Sequence, residues 1–245
     1  MKSVLILQAR MGSDRLPGKS MMPLAGKPLL YRILERVLRC QSIDQIVVAA
    51  PDTNENDILE KVANELNVSI FRGSENDVLD RYYKAAKDHK ADLILRIPAD
   101  NFAPQPEEIE KILDFHIKNN LGGFSSNLSE VFHSGYPDGI GAEVFSFDLL
   151  HKAWLKNLGQ KYREHVHLNF FDYESQLAFD ESTCPVKTIS CPELFRRPDI
   201  ILDINTLSQY EFAKKLYEYL YPKNKTFAIQ DILQWHDTVY AELQK

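Results

Sequence analysis

The sequence predicts an α/β fold with a mostly parallel sheet covered by helices on both faces. Three observations carry that reading. Short apolar runs rich in β-branched residues alternate with helical patterns through the first half of the chain. These runs lack polar alternation, the pattern of strands buried on both faces. The segments between them are long enough to be crossover helices, so successive strands lie parallel.

In order, residues 3–9 form the first buried strand. Leu29, Leu30, Ile33, Leu34, Val37 and Leu38 then recur at helical spacing, with Pro28 near the helix start. Residues 46–50 are the next strand, and 55–66 a helix with Ile58, Leu59, Val62, Ala63 and Leu66 on one face. Residues 68–71 read as a strand, 77–89 as a helix, 93–97 as a strand and 106–117 as a helix. Beyond about residue 120 the rhythm breaks. Residues 122–127 (GGFSSN) read as loop or edge strand, 142–147 as a strand, and 149–158 and 162–173 as helices. Residues 186–190 and 200–204 are strand-like, and helices over 207–221 and 229–243 follow. The chain, 1–245, reads as one domain. Its irregular middle, 122–195, reads as an insertion that leaves the sheet, of the kind that builds a substrate lid or a dimer contact.

Hydrophobic residues make up 44%, enough to bury a full core. The formal charge of -6 lacks the basic surplus of a general nucleic-acid binder. Cys40, Cys184 and Cys191 form no C-x-x-C pair, which suits a reducing compartment and supports neither a disulfide framework nor a structural zinc site. No apolar run approaches the ~20 residues that cross a bilayer. The first residues do not read as a signal peptide. A cytoplasmic protein without membrane or nucleic-acid partners is expected.

The amino-terminal loop carries the strongest chemical signal. Residues 6–20 read ILQARMGSDRLPGKS and end as a phosphate-binding P-loop ends. Gly12 and Gly18 nevertheless stand one residue further apart than the P-loop motif allows. Pro17 removes a backbone N–H from such a cradle, and Asp14 adds negative charge, so this is not a Walker loop. It leaves the carboxyl end of the first strand, where open α/β sheets bind ligands. It carries Gly12 and Gly18 for close backbone approach and Arg10, Arg15 and Lys19 as cations. Arginine offers phosphate oxygens a planar fork, and lysine a mobile point charge. The alternative is a charged surface turn.

Asp100 and Asp203 each follow an apolar run. Carboxylates at neighbouring strand ends can share Mg²⁺, which takes oxygen ligands and keeps waters alongside phosphate oxygens. Alternatively, Asp100 is a turn residue and Asp203 caps the helix that begins near Thr206.

These stretches resemble the cytidylyltransferases that activate acidic sugars. The resemblance is nearest to the spore-coat polysaccharide biosynthesis protein F group, and more distant to the CMP-sialic acid and CMP-KDO synthetases. It rests on QARMGSDRLPGK followed by PLAGKPLL, and continues through RGSENDVLDRYYKAAK (72–87), ADLILRIPADN (91–101), YPDG with EVF, REHV (163–166) and LDINT (202–206). It implies a three-layer α/β/α Rossmann-like sheet of the nucleotide-diphospho-sugar transferase type. It also implies Mg²⁺-dependent transfer of CMP from CTP to an acidic, 3-deoxy nonulosonic-type sugar for a surface polysaccharide, with pyrophosphate released. By resemblance, Ala9, Arg10, Gly12, Ser13, Arg15 and Lys19 hold the nucleotide, and Arg72, Asp77 and Arg81 face its base and ribose. Arg10, Arg15, Lys19 and Asp100 are then the catalytic group, and Asp100 and Asp203 the magnesium ligands. Asp138, Glu143, Arg163 and His165 fall on the acceptor side, and a homodimer is implied.

Plainer alternatives stand beside several of these. Asp77 and Arg81, four apart on a helix, also suit a surface ion pair. Glu143 also suits the exposed face of a strand. His165 and His167 at i, i+2 on a helix point apart, which argues against a metal pair. Phe170, Phe171 and Tyr173 read as packing for a lid or a dimer surface. Two departures from the family pattern stand out: Pro98-Ala99 before Asp100, where the relatives read Thr-Gly, and Gly141-Ala142, where they read Asp-Val. These leave open another nucleotide, a non-sugar acceptor, or a homologue that binds nucleotide or glycan without turnover.

Overall fold

The computed structural model describes residues 1–128, 131–156 and 158–243. The chain runs β1 (Ser3–Gln8), the short pair β2 (Pro23–Leu24) and β3 (Lys27–Pro28), α1 (Leu29–Val37), β4 (Gln45–Pro51) and α2 (Asp57–Glu65). It continues through β5 (Ser69–Gly73), α3 (Val78–Asp88), β6 (Leu93–Pro98) and α4 (Pro106–Asn119). Then come β7 (Phe124–Ser126), β8 (Glu143–Ser146), α5 (Phe147–Lys156), α6 (Gln160–Glu164), the pair β9 (Phe171–Asp172) and β10 (Leu177–Ala178), and β11 (Val186–Lys187). Helices α7 (Leu207–Leu220), α8 (Ile229–Trp235) and α9 (Ala241–Leu243) follow.

Seven strands form one sheet in the order β11-β7-β8-β6-β1-β4-β5. β1 lies between β6 and β4, parallel to both, with Leu5 opposite Leu95 and Ile46. β8 is antiparallel to β6 and to β7. Successive side chains of a strand point to opposite faces, and β1 feeds two separate cores in this way. Leu5 and Leu7 pack with residues of α1, α2, α4, α7 and α8, whereas Val4 and Ile6 pack with α3 and α5. The result is the mostly parallel, three-layer α/β arrangement that the sequence predicts. Leu29, Leu30, Ile33, Leu34 and Val37 of α1 are all fully buried. Burying each such side chain stabilises by about 1.5–3 kcal/mol, which holds a helix too short to persist alone.

The structure corrects three expectations. The segment 122–195 does not simply leave the sheet, because β7, β8 and β11 belong to it and only the β9–β10 pair stands apart. Residues 162–173 are not one helix. α6 ends at Glu164, His165 is extended (φ −107°, ψ 90°), and a short 3₁₀ turn over Val166–Asn169 leads into β9. That break buries Phe170 and Phe171 in the core beside Phe124 and Phe145, while Asn169 Nδ2 donates to Tyr162 O (2.9 Å) and Val166 O (3.0 Å). Residues 200–204 make isolated bridges to Asp138 and Asn101 instead of a regular strand. Position 157 of the helix expected over 149–158 lies outside the described residues. Among the described residues no helix is long and apolar enough to cross a membrane.

Candidate active site

A cavity of about 570 Å³ lies at the carboxyl ends of β1 and β6, within the size range of small-molecule sites. The loop after β1 forms one wall. Met11 N donates to Oδ1 of the fully buried Asn56 (2.9 Å), which fixes the loop's start. Its far end turns back at Gly18, whose N–H donates to Met11 O (2.9 Å). Gly18 has φ +73°, a conformation that glycine adopts without a Cβ penalty. A 3₁₀ turn over Lys19–Met21 follows, and Ser20 Oγ donates to Arg10 O (3.0 Å). The closed loop presents Ala9, Arg10, Ser13, Arg15 and Lys19 to the cavity.

The opposite wall is acidic. Asp100 sits in a turn just beyond β6, where Asn101 N donates to Pro98 O (3.3 Å). Residues 200–204 are stitched between this turn and Asp138: Ile204 N donates to Asp100 O (2.9 Å) and Leu202 N to Asp138 O (3.1 Å). Asp100, Asp138 and Asp203 therefore line the same cavity. Lys19 bridges the two walls, its Nζ 3.0 Å from Asp100 Oδ2 and donating to Ile204 O (2.7 Å) and Asn205 Oδ1 (3.2 Å). Asp100 is thus both a turn residue and a cavity carboxylate. The cap of α7 falls to Thr206, whose side chain accepts from Gln209 N. Asp203 instead accepts from Gln209 Nε2 (2.8 Å) and from Asn205 Nδ2.

Burial, with Asp138 and Asp100 nearby, pushes the Asp203 carboxyl up to about 6, against the pull of Lys19 and Arg15. Its unfolded value is about 3.9, so between about pH 4 and pH 6 the folded state binds the proton more tightly. Stability from this group is therefore present at low pH and lost as pH rises through the folded value. In the absence of divalent ions, Asp203→Asn is expected to melt above the wild type near neutral pH, with the gap closing as pH falls from about 6 to about 4. A gap that is constant with pH contradicts the assignment.

At the inner end of the cavity lie Glu143 and His165, which the resemblance puts on the acceptor side, together with Arg96, His167 and Tyr173, which it does not. Arg96 of β6 donates through Nη1 to Glu143 Oε1 (2.6 Å) at the start of β8, and Tyr173 OH donates to the same oxygen. Glu143 is fully buried, so it does not lie on an exposed strand face. His165 and His167 both line the cavity, because the backbone at His165 is extended and not helical. Tyr173 lines it as well, while Phe170 and Phe171 are core.

Several residues assigned by resemblance lie outside the cavity lining. Arg72 is held at the edge of the sheet by Pro51 O (2.9 Å), Thr53 O (2.7 Å), Asp57 (2.9 Å) and Glu60 (3.3 Å). Asp77 does not pair with Arg81. It caps α3 by accepting from Asp80 N (2.9 Å) and binds Arg163, whose Nε lies 2.9 Å away. Their neighbours Val78 and Glu164 line the cavity, so the Asp77–Arg163 pair ties α6 to α3 at its rim. Arg81 is buried and donates through Nη1 to Ser74 O (2.8 Å). Gly12 approaches Glu55 and Glu75 instead of lining the cavity.

Both departures from the family pattern have local explanations. Pro98 pairs with Gln8 of β1, and β8 stops at Arg96 opposite Glu143. Ala99 N donates to Gln8 O (3.0 Å). Adjacent amides point to opposite sides of a strand, so the donor missing at Pro98 faces the side where β8 has already ended. At Gly141 a Cβ would lie 2.1 Å from Asn127 Oδ1 and 3.1 Å from Asn127 O. That Oδ1 accepts from Ala142 N (3.0 Å), and Asn127 Nδ2 donates to Glu108 O (2.9 Å). Asn127 therefore fills the space that a larger residue 141 would need. Gly141→Asp is expected to lower stability by about 1–3 kcal/mol, read as a drop in melting temperature; an unchanged melting temperature contradicts this packing.

A cation-bearing loop at a strand end faces carboxylates across a cavity in an α/β sheet, an arrangement that suits a nucleotidyltransferase, and the family match shows that class. The cytidylyltransferase family profile matches residues 4–232, and the chain belongs to that family. It is 33% identical to the spore coat polysaccharide biosynthesis protein SpsF of Bacillus subtilis over 220 residues, 88% of this chain and 86% of that protein. It is 28% identical to the 3-deoxy-manno-octulosonate cytidylyltransferase of Trichlorobacter lovleyi over 120 residues, 49% of this chain and 46% of that protein. The structure of a cytidylyltransferase from Leptospira borgpetersenii, 27% identical, matches with a TM-score of 0.86 over 98% of this chain and 96% of that one.

Proposed function

We propose that the chain transfers CMP from CTP to an oxygen of an acidic 3-deoxy sugar, with Mg²⁺ as cofactor, in the synthesis of a surface polysaccharide. The observation that supports this most is the meeting of Lys19 with Asp100 across a cavity that Asp138 and Asp203 also line. Cations suited to phosphate oxygens stand on one wall and hard oxygen donors on the other.

The donor set fits Mg²⁺. Asp203 holds a proton more tightly than usual because it is buried and lies near the Asp138 and Asp100 carboxylates, and a divalent cation relieves the same repulsion. Among the described residues no group of three or more His, Cys, Asp or Glu forms a ready metal cage. Mg²⁺ held by one or two carboxylates and completed by waters and substrate phosphate needs none. Asp100 and Asp203 would hold it. When bound there, it supplies charge neutralisation at the α-phosphate.

Arg10 and Arg15 bind the triphosphate oxygens, and Ala9 lies where its backbone meets the nucleoside. Lys19 exchanges its contacts with Asp100 and Ile204 O for phosphate oxygens. The acceptor oxygen attacks the α-phosphorus, the bond to the pyrophosphate oxygen breaks, and the acceptor's proton passes to water. Holding both reactants in line and compensating charge supply the acceleration. The test is pyrophosphate release with CTP, GTP, UTP or ATP against a panel of sugar acids, with Mg²⁺ or with EDTA. Release with CTP and Mg²⁺ alone is expected. Release confined to another nucleotide overturns the cytidylyl assignment, and release undiminished by EDTA overturns the cofactor.

A further inference from the structure

The inner end of the cavity differs in character from its phosphate-facing wall. Arg96 is 8% exposed and Glu143 fully buried, and each uses part of its hydrogen-bonding capacity on the other. His167 stacks on Tyr173, ring centroids 4.3 Å apart and planes 16° apart. Four buried polar atoms of cavity-lining side chains have no hydrogen-bond partner among the described residues: Gln8 Oε1, Arg96 Nε, Glu143 Oε2 and His167 Nδ1. Buried polar atoms are nearly always satisfied, and leaving one unmade is costly. Four gathered around one cavity mark a place that a ligand completes.

The charges select the ligand. Arg96 and Glu143 compensate each other, so no positive surplus remains for an anion. Burial, with Arg96 nearby, lowers His167 to about 2 and keeps its ring neutral. An entering carboxylate can only accept hydrogen bonds and would meet the Glu143 carboxylate. A hydroxyl both donates, to Glu143 or His167, and accepts, from Arg96.

We propose that Gln8, Arg96, Glu143, His167 and Tyr173 form the subsite for an uncharged, hydroxyl-bearing part of the acceptor, its polyol tail, and that the acceptor's carboxylate binds elsewhere in the cavity. This rests on the transferase assignment above. The subsite sets acceptor specificity and leaves CTP binding untouched.

The experiment is steady-state pyrophosphate release with CTP and whichever sugar acid supports it, from a panel including 3-deoxy-manno-octulosonate and N-acetylneuraminate. Wild type is compared with His167→Phe, which keeps the ring stack, and with Arg96→Met/Glu143→Met, which removes both charges together. Each variant is expected to raise the acceptor KM by about tenfold or more with the KM for CTP unchanged within about twofold. An acceptor analogue lacking its terminal tail hydroxyl is expected to lose about 100-fold or more in kcat/KM with the wild type. An unchanged acceptor KM in His167→Phe, an equal rise in both KM values, or full use of the deoxy analogue overturns the subsite. If the double variant does not fold, His167→Phe and the analogue decide alone. Silence of the wild type with every acid overturns the transferase assignment, and the subsite with it, before any variant is compared.

Discussion

Asp100→Asn is expected to lower kcat for pyrophosphate release by about 10²–10³-fold, the usual loss when one preorganised electrostatic group is removed from a reaction centre. The substitution keeps the shape of the side chain. The backbone contacts that build the turn, Asn101 N to Pro98 O and Ile204 N to Asp100 O, do not involve it. Lys19 retains Ile204 O at 2.7 Å and Asn205 Oδ1 at 3.2 Å, so the loop stays anchored. What disappears is one negative charge, and with it half of the carboxylate pair that would hold Mg²⁺. Melting temperature and CTP affinity in EDTA should therefore stay close to wild type while turnover collapses. A variant that keeps its turnover removes Asp100 from the chemistry.

Glu143→Gln is expected to destabilise the fold by about 3–5 kcal/mol, because it leaves the buried Arg96 guanidinium without its counter-charge. The pair joins β6 to β8 where the sheet turns antiparallel, with Arg96 directly opposite Glu143. No other carboxylate pairs with Arg96 among the described residues. Replacing both partners with methionine removes the desolvation penalty along with the attraction. That double variant should lie close to the wild type in stability. Urea denaturation of the single and double variants separates the two effects. A single variant within about 1 kcal/mol of wild type contradicts a buried, mutually dependent pair.

The central strands were legible because β1 and β4 are largely apolar runs and β6 is one broken only by Arg96, and burial on both faces leaves that pattern in the residues themselves. The clustering of cations and carboxylates at one cavity was legible for a similar reason. Arg10, Arg15 and Lys19 cluster within one loop, and Asp100 and Asp203 each follow a strand-like run. Of the inner end, Glu143 and His165 were given to the acceptor side by resemblance, but Arg96 and His167 were not. Arg96 stands as the lone charge inside the apolar run LILRI, a sign of a buried pair, but its partner Glu143 is 47 residues away and only the antiparallel register of β6 and β8 brings them together. His167 was hidden by the helical pattern of 162–173. On a helix it faces away from His165, whereas the extended backbone at His165 lets both rings line the cavity. Arg72, given to the nucleotide by resemblance, lies outside the cavity lining. Its neighbourhood is set by Asp57 and Glu60 on α2, a contact across elements that local spacing cannot reveal.

The most direct measurement is a ³¹P NMR spectrum of the purified protein with CTP, Mg²⁺ and the panel of sugar acids. One acid is predicted to convert the three CTP resonances into pyrophosphate and a single phosphodiester resonance of a CMP-linked product, with none formed by Asp100→Asn over the same interval. CTP resonances that persist unchanged with every acid, or CTP hydrolysed to CMP without a phosphodiester product, would contradict transfer to a sugar acid.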